Sequence, residues 1–255
     1  MAVTIKFPTE KDIGAMRSLW REAFGDGDEY IDVFFSTAYK SDRCLVGLID
    51  EALAGALYWF DCEYGGGRVA YLYAVATFKE YRGRGVCRAL MSECRRLLES
   101  LGYVGGLLVP GEAGLFDMYS RLGYSVCSEV AEFVAYPSGR VTKIREITPE
   151  EYARARRELL PPLAVLQEGE NIGLLSSLYK LYRGDGFLLA AVRAGDKLIC
   201  AELLGDRAKA ADILTSLGCS EGKFRTVGKG RPFAMWRGFC DTPAPVPSYF
   251  GLAFD

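Results

Sequence analysis

Residues 70–101 constrain the fold more than any other stretch. They read AYLYAVAT, then FKEYRGRG, then VCRALMSECRRLLESL. The first block is a strand by composition, because Tyr71, Leu72, Tyr73, Val75 and Thr77 are aromatic, β-branched or apolar. The last block is a helix. Val86, Cys87, Leu90, Met91, Cys94, Leu97, Leu98 and Leu101 recur at helical spacing, and Gly102 stands where a left-handed C-cap is wanted. Between them, Arg82-Gly83-Arg84-Gly85 permits a tight turn and close backbone approach to a ligand. A helix starting there leaves its first amides without partners. Together with the helix dipole they form an anion site suited to a pyrophosphate. The charge agrees: residues 79–96 hold six basic and two acidic side chains, in a chain of net charge −2.

Three readings fit this stretch. One is a basic turn with no ligand. A second is a dinucleotide-binding turn, which needs a third glycine where this chain has Arg88. The third is a CoA-binding loop. Arg82-x-x-Gly85-x-Cys87 resembles the Arg/Gln-x-x-Gly-x-Gly/Ala signature of the GCN5-related N-acetyltransferases (GNAT), set after a strand and before a helix. The flanking Ala-Val-Ala-Thr-x-x-x-Tyr-Arg-Gly and the trailing Ala89-Leu90-Met91 are also similar to that family. Two positions depart from it: Lys79, where proline is frequent, and Cys87, where glycine or alanine is usual. The segment Phe116-Asp-Met-Tyr119-Ser-Arg-Leu-Gly123-Tyr124 resembles the family's Tyr-x-x-x-Gly-Phe element. The resemblance covers about residues 1–136.

Composition sets the outer bounds. Half of the 255 residues are hydrophobic and a quarter are charged, enough for a sizeable core in one large or two small domains. No apolar run is long enough to span a bilayer. The opening MAVTIKFPTEKD lacks an apolar signal core, and the eight cysteines are scattered without a Cys-x-x-Cys. The expectation is a cytoplasmic protein with no disulfide framework, no metal site and no membrane association. There is no histidine, which excludes a histidine base, a Ser-His-Asp triad and most zinc or iron sites. The absence of a broad basic face argues against nucleic acid.

Taken in order, the chain opens with a strand at 3–7. A helix capped by Thr9 and Asp12 follows, with an apolar stripe of Ile13, Met16, Leu19, Trp20, Ala23 and Phe24. An acidic loop from Gly25 to Asp32 leads into a helix ending near Tyr39. Residues 43–49 and 52–60 form a hairpin. After the strand, loop and helix of 70–101 come a strand at 103–109, a short helix at 112–122 and strands near 125–127 and 130–136. Pro137-Ser138-Gly139-Arg140 reads as a linker. Beyond it lie a strand at 141–147, a helix opened by Thr148-Pro149-Glu150-Glu151, a helix at 172–182, a hairpin at 186–204, a helix at 207–217 and strands near 223–227, 232–236 and 249–254.

This order predicts an α+β fold, a mixed, mostly antiparallel sheet flanked by helices. The resemblance implies a GNAT domain over 1–137 and a smaller, degenerate GNAT-like domain over 138–255, as in the enhanced-intracellular-survival acetyltransferases. The second copy lacks the Arg-Gly-x-Gly loop. Its Gly205-Asp206-Arg207 leads straight into a helix, and an acidic side chain there repels phosphate.

The resemblance further implies acetyl transfer from acetyl-CoA to a primary amine by direct attack in a ternary complex. Val75, Ala76 and Thr77 lie where the family's strand splays and pairs with pantetheine. A freed amide there can stabilise the thioester oxygen. Arg82, Gly83, Arg84, Gly85, Val86, Cys87 and Arg88 would hold the phosphates. Tyr119 stands where the family has its general-acid tyrosine. Cys87 reads as a small packing residue rather than a nucleophile. In the family the first two helices border the acceptor cleft, and here their connection carries Asp26, Asp28 and Glu29, which would suit a cationic small-molecule amine. Without a histidine base, Asp255 is a candidate proton acceptor or amine anchor, by analogy with the terminal carboxylate of the enhanced-intracellular-survival enzymes. Asp61, Glu63 or a water chain are the fallback. The competing class is a non-catalytic acyl-CoA sensor.

Overall fold

The structure is a computed structural model that describes residues 2–239 and 245–254. In chain order the elements are β1 (Thr4–Lys6), α1 (Ile13–Phe24), α2 (Asp28–Thr37), β2 (Cys44–Ile49), β3 (Ala52–Tyr64), β4 (Gly67–Thr77), α3 (Val86–Ser100), β5 (Gly105–Leu108), α4 (Ala113–Ser120), β6 (Ser125–Val126) and β7 (Glu129–Ala135). There follow β8 (Ile144–Glu146), α5 (Pro149–Leu159), β9 (Leu166–Gln167), α6 (Glu170–Leu178), β10 (Lys180–Gly184), β11 (Phe187–Ala194), β12 (Lys197–Gly205), α7 (Ala210–Leu217), β13 (Glu221–Val227), β14 (Arg231–Pro232) and β15 (Met235–Gly238). The chain divides into two compact units. The first comprises Met1–Leu108, Gly114–Ser125 and Trp236–Ala244; the second comprises Val109–Ala113, Val126–Met235 and Pro245–Asp255.

The sheet of the first unit runs β1-β2-β3-β4-β5-β15-β6. Its first four strands are antiparallel neighbours, and β4 pairs β5 in parallel. Local sequence explains the helices. The Thr9 amide and hydroxyl both donate to the Asp12 carboxylate, 2.7 and 2.8 Å, fixing the turn that leads into α1. Gly25 ends α1 in the left-handed conformation at φ 75°. The apolar stripe of α3 buries Val86, Leu90, Met91, Cys94 and Leu98, and each of the Val, Leu and Met side chains is worth about 1.5–3 kcal/mol when fully buried. On the α1 side, Trp20 is packed by Phe34, Tyr58 and Tyr73, with ring centroids 4.6, 5.5 and 5.7 Å away.

The sheet of the second unit runs β8-β10-β11-β12-β13-β7-β14. Here the neighbours are antiparallel except one parallel pair, β12 with β13. The second order therefore repeats the first strand for strand, with β12 and β13 in the places of β4 and β5. The repeat includes a register break on the strand that precedes the crossover helix, at Ala190/Ala191 against β12 and at Ala56/Tyr58 against β4. This is the mixed α+β architecture expected, with a GNAT-like second unit.

One feature of the order was not expected. β7 occupies in the second sheet the place that β15 holds in the first, so each sheet is completed by a strand drawn from the other half of the sequence. The sequence reading placed 130–136 in the first sheet and a single boundary after residue 137. The chain instead changes unit at the short Val109–Ala113 segment, around 125, around 235 and again before Pro245. Alternation along β7 shows a strand but carries no information on which sheet receives it. β7 pairs with β13 continuously from Ala135↔Gly222 to Val130↔Val227.

Two smaller expectations also differ. The helix expected at 172–182 stops at Leu178, and Lys180–Gly184 forms a strand pairing both β8 and β11. The segment 249–254 is not a strand beyond one bridge from Tyr249 to Ala164. It is nevertheless buried, with Tyr249, Phe250 and Leu252 at 1 % exposure or less. Gln167 clamps it by accepting from the Leu252 amide at 3.1 Å and donating to the Leu252 carbonyl at 2.6 Å.

Beside this clamp lies a buried charge network that no sequence pattern announced. Glu202 of β12 accepts from Arg156 Nε (2.8 Å) and Nη2 (3.0 Å), and from the hydroxyls of Tyr152 (3.0 Å) and Tyr249 (3.1 Å). Burial opposes the Arg156 charge, but the Glu202 carboxylate outweighs it and the guanidinium is held ionised. Burial and that same carboxylate push the Tyr152 and Tyr249 phenols up, so both stay protonated donors.

Candidate active site

The Arg82–Gly85 turn has the geometry that the sequence implied. Gly83 and Gly85 sit at φ 76° and 82°, a region that side-chain-bearing residues avoid. Gly85 is the N-cap of α3 and supplies no side-chain cap. The first helical bond runs from Ala89 N to Gly85 O at 3.0 Å, which leaves the amides of Val86, Cys87 and Arg88 as the open helix N-terminus. The turn is braced from two sides. Arg82 Nε donates to Thr77 O at 3.2 Å, closing the loop onto the end of β4. Glu22 of α1 accepts from the Lys79 amide at 2.7 Å. Arg84 and Arg88 remain exposed at the helix start. Positive charge, open amides and a dipole thus converge on one point.

The strand leading into this loop is broken where the resemblance implied. β4 pairs β5 only from Val69↔Gly105 to Tyr71↔Leu107. Val75, Ala76 and Thr77 lie beyond that pairing; Ala76 and Thr77 pair with β3, and Val75 falls in the register break. The break is marked by Ala74, which has a left-handed φ of 47° within a strand. Such a conformation costs of order 1–3 kcal/mol and is retained where it aims the backbone. One edge of β4 is therefore open beside the anion site. The Thr77 hydroxyl is buried there without a hydrogen-bond partner.

Tyr119 lies on α4 and is 6 % exposed, with its ring edge-on to Tyr124 at 6.2 Å. Burial pushes its phenol well above the ordinary value, and the neighbouring Cys87 sulfur adds to the shift. Tyr119 is thus a neutral donor at physiological pH. Burial also raises the Cys87 thiol, so the helix N-terminus does not make it a thiolate.

The acidic loop is more engaged than its sequence suggested. Asp28 is ion-paired with Arg21, whose Nε donates at 2.7 Å, and Asp32 is paired with Arg17. Asp26 accepts from Trp20 Nε1 at 2.8 Å, and Glu29 is exposed. Next to this loop the hydroxyls of Tyr30 and Tyr73 are hydrogen-bonded at 2.6 Å, tying α2 to β4 one residue before Ala74. Neither tyrosine carried a sequence signal beyond its aromatic side chain. Asp61 is held by Arg43 at 2.7 Å and accepts from Tyr103. Asp255 lies outside the described residues. Among the described residues no three His, Cys, Asp or Glu side chains gather as a metal site, and no helix is long and apolar enough to cross a membrane.

Comparison with known proteins agrees with this fold. Solved structures share the fold over nearly the whole chain. A GCN5-related N-acetyltransferase from Kribbella flavida matches with a TM-score of 0.68 at 17% identity, covering 93% of this chain and 71% of its own. Eis1 from Mycobacterium abscessus matches with 0.68 at 13% identity, covering 93% and 74%. A tandem GNAT protein from the clavulanic acid biosynthesis pathway matches with 0.56 at 11% identity, covering 95% of this chain and 100% of its own. No curated protein matches in sequence. The acetyltransferase (GNAT) domain profile matches residues 4–127, just under half of the chain, and this stretch contains the turn, the broken strand and Tyr119.

Proposed function

We propose that the first unit transfers an acetyl group from acetyl-CoA to a primary amine by direct attack in a ternary complex. The observation that carries this reading is the open N-terminus of α3 beside the unpaired edge of β4. The diphosphate of the donor would take the amides of residues 86–88 with Arg84 and Arg88. Its pantetheine amides would pair with Val75–Thr77 as an added strand. A β4 amide at that edge would then donate to the thioester oxygen as negative charge develops. Tyr119 would donate to the departing thiolate, a role that its raised, neutral phenol supports.

For the acceptor, we infer a cationic small-molecule amine. With Asp28 engaged by Arg21, this reading rests on Asp26, which accepts from Trp20 Nε1, and on the exposed Glu29. In the second unit the turn leading into the matching helix is closed by its own acid, Asp206 Oδ1 accepting from Ala208 N at 2.9 Å, and we assign no donor site there.

Calorimetric titration of acetyl-CoA tests the donor site. The wild-type protein should bind it more weakly as salt rises. Gly85→Asp should abolish binding, because a side chain at φ 82° and a carboxylate at the anion site both oppose it. Unchanged binding in that variant would remove the loop from the account.

A further inference from the structure

Tyr119 is held from an unexpected direction. Its helix ends in a left-handed turn at Gly123, φ 86°. The amides of Leu122 and Tyr124 both donate to the Tyr119 carbonyl, at 2.9 and 3.1 Å, so this turn anchors the tyrosine's own backbone. The turn is itself capped by Arg237 of β15, which donates to the Leu122 carbonyl. The guanidinium lies against Gly123. A Cβ built there would be 3.1 Å from Arg237 Cζ and 3.2 Å from Nη1, so a side chain at this position would press on the guanidinium as well as strain the turn.

A second route reaches the same ring. Arg237 acts on the buried Tyr124 phenol as a nearby positive charge, and the Tyr124 ring is the edge-on partner of Tyr119. The adjacent Trp236 fixes where Arg237 stands. Its indole lies over Gly105 of β5, which has no room for a side chain, and its ring meets Tyr64 at 5.8 Å. Phe239 N donates to Val104 O at 2.9 Å and closes the strand onto the sheet.

We infer that Arg237 is a positioning residue for Tyr119, supplied by a strand more than a hundred residues further along the chain, and that it acts by locking the turn from Leu122 to Tyr124. Arg237 touches neither donor nor acceptor in this account. The inference rests on the reading of Tyr119 as general acid. It also gives the exchange of β15 a catalytic consequence: residues 4–127 alone lack the group that fixes their acid.

The test is a double-variant cycle on the full chain. CoA thiol release is followed with acetyl-CoA and hydroxylamine, an amine largely unprotonated at neutral pH, so that no base is needed. Arg237→Ala should lower kcat by about ten- to a hundredfold, the usual cost of a misplaced catalytic group. Acetyl-CoA affinity by calorimetry should be unchanged. Added guanidinium ion should restore part of the rate to Arg237→Ala and none to Tyr119→Phe. Adding Arg237→Ala to Tyr119→Phe should cost little more than Tyr119→Phe alone.

Hydrogen exchange should show faster exchange at the Leu122 and Tyr124 amides in Arg237→Ala, and also in Arg237→Lys, which keeps the charge if the alanine variant folds poorly. A slow Tyr119→Phe with a wild-type Arg237→Ala would overturn this inference alone. So would losses that multiply in the double variant, or unchanged exchange in both Arg237 variants. A Tyr119→Phe at wild-type rate would overturn the general-acid reading, and this inference with it.

Discussion

Glu202→Gln should be the most damaging conservative change in the second unit. The wild-type carboxylate is fully buried and receives four donors: two from Arg156 and one each from Tyr152 and Tyr249. A glutamine amide offers one oxygen in place of two and turns an N–H group toward the remaining donors. It also leaves Arg156, 2 % exposed, as a buried charge with no counter-charge. Removing one partner of a buried pair costs about 3–5 kcal/mol. That is a large share of a total stability of about 5–15 kcal/mol. For a chain this long each kcal/mol moves Tm by about 2–4 °C, so the drop should be about 6–20 °C by scanning calorimetry. Replacing both charges, as Arg156→Met with Glu202→Leu, should recover most of the loss, because the desolvation cost of both ions disappears together. A Glu202→Gln shift below about 2 °C, or a double variant worse than the single, would refute the reasoning that the cost comes from a stranded charge.

Two further outcomes follow from particular contacts. Gly105→Ala should destabilise the first unit by about 1–3 kcal/mol in urea, since its methyl runs into the Trp236 indole of the completing strand; pairing it with Trp236→Leu should recover part of that loss. Glu132, hydrogen-bonded to Arg231 at 3.0 Å and to Arg225 at 3.2 Å, has its carboxyl held below the ordinary 4.5 by Arg231 first, with burial opposing and Arg225 helping. Protonating it costs more in the folded state than in the unfolded state, so its contribution is complete above pH 4.5 and is lost as pH falls through the lower folded value. Stability curves of wild type and Glu132→Gln should converge below that pH, and parallel curves down to acid unfolding would contradict it.

What the sequence disclosed was local. The Arg82–Gly85 turn, the α3 stripe and the Thr148–Glu151 capping box were all legible, because each is written within one or two helical turns. The doubling of the fold was legible as an order of elements. The exchange of β7 and β15 was not, since a strand's alternation is the same in either sheet and the contacts that discriminate between them, such as Trp236 over Gly105, join residues far apart in sequence. The Glu202 network was hidden for a related reason: Tyr152, Arg156, Glu202 and Tyr249 are separated by up to 97 positions and none has a motif. β10 was absorbed into α6 because Leu178, Leu181 and Tyr182 keep a helical spacing across the true helix end. The acidic loop was legible as charge, but not the arginines on α1 that neutralise part of it, which face it only once α1 and α2 are folded.

The central claim is acetyl transfer from acetyl-CoA held at the α3 N-terminus and the β4 edge, and thiol release tests it most directly. The protein is given acetyl-CoA with a panel of primary amines that includes polyamines, aminoglycosides and lysine derivatives. The account predicts CoA thiol release matched mole for mole by N-acetylated amine, saturable in acetyl-CoA and lost in Gly85→Asp. Tight acetyl-CoA binding with no thiol released for any amine would contradict it and leave a binding module.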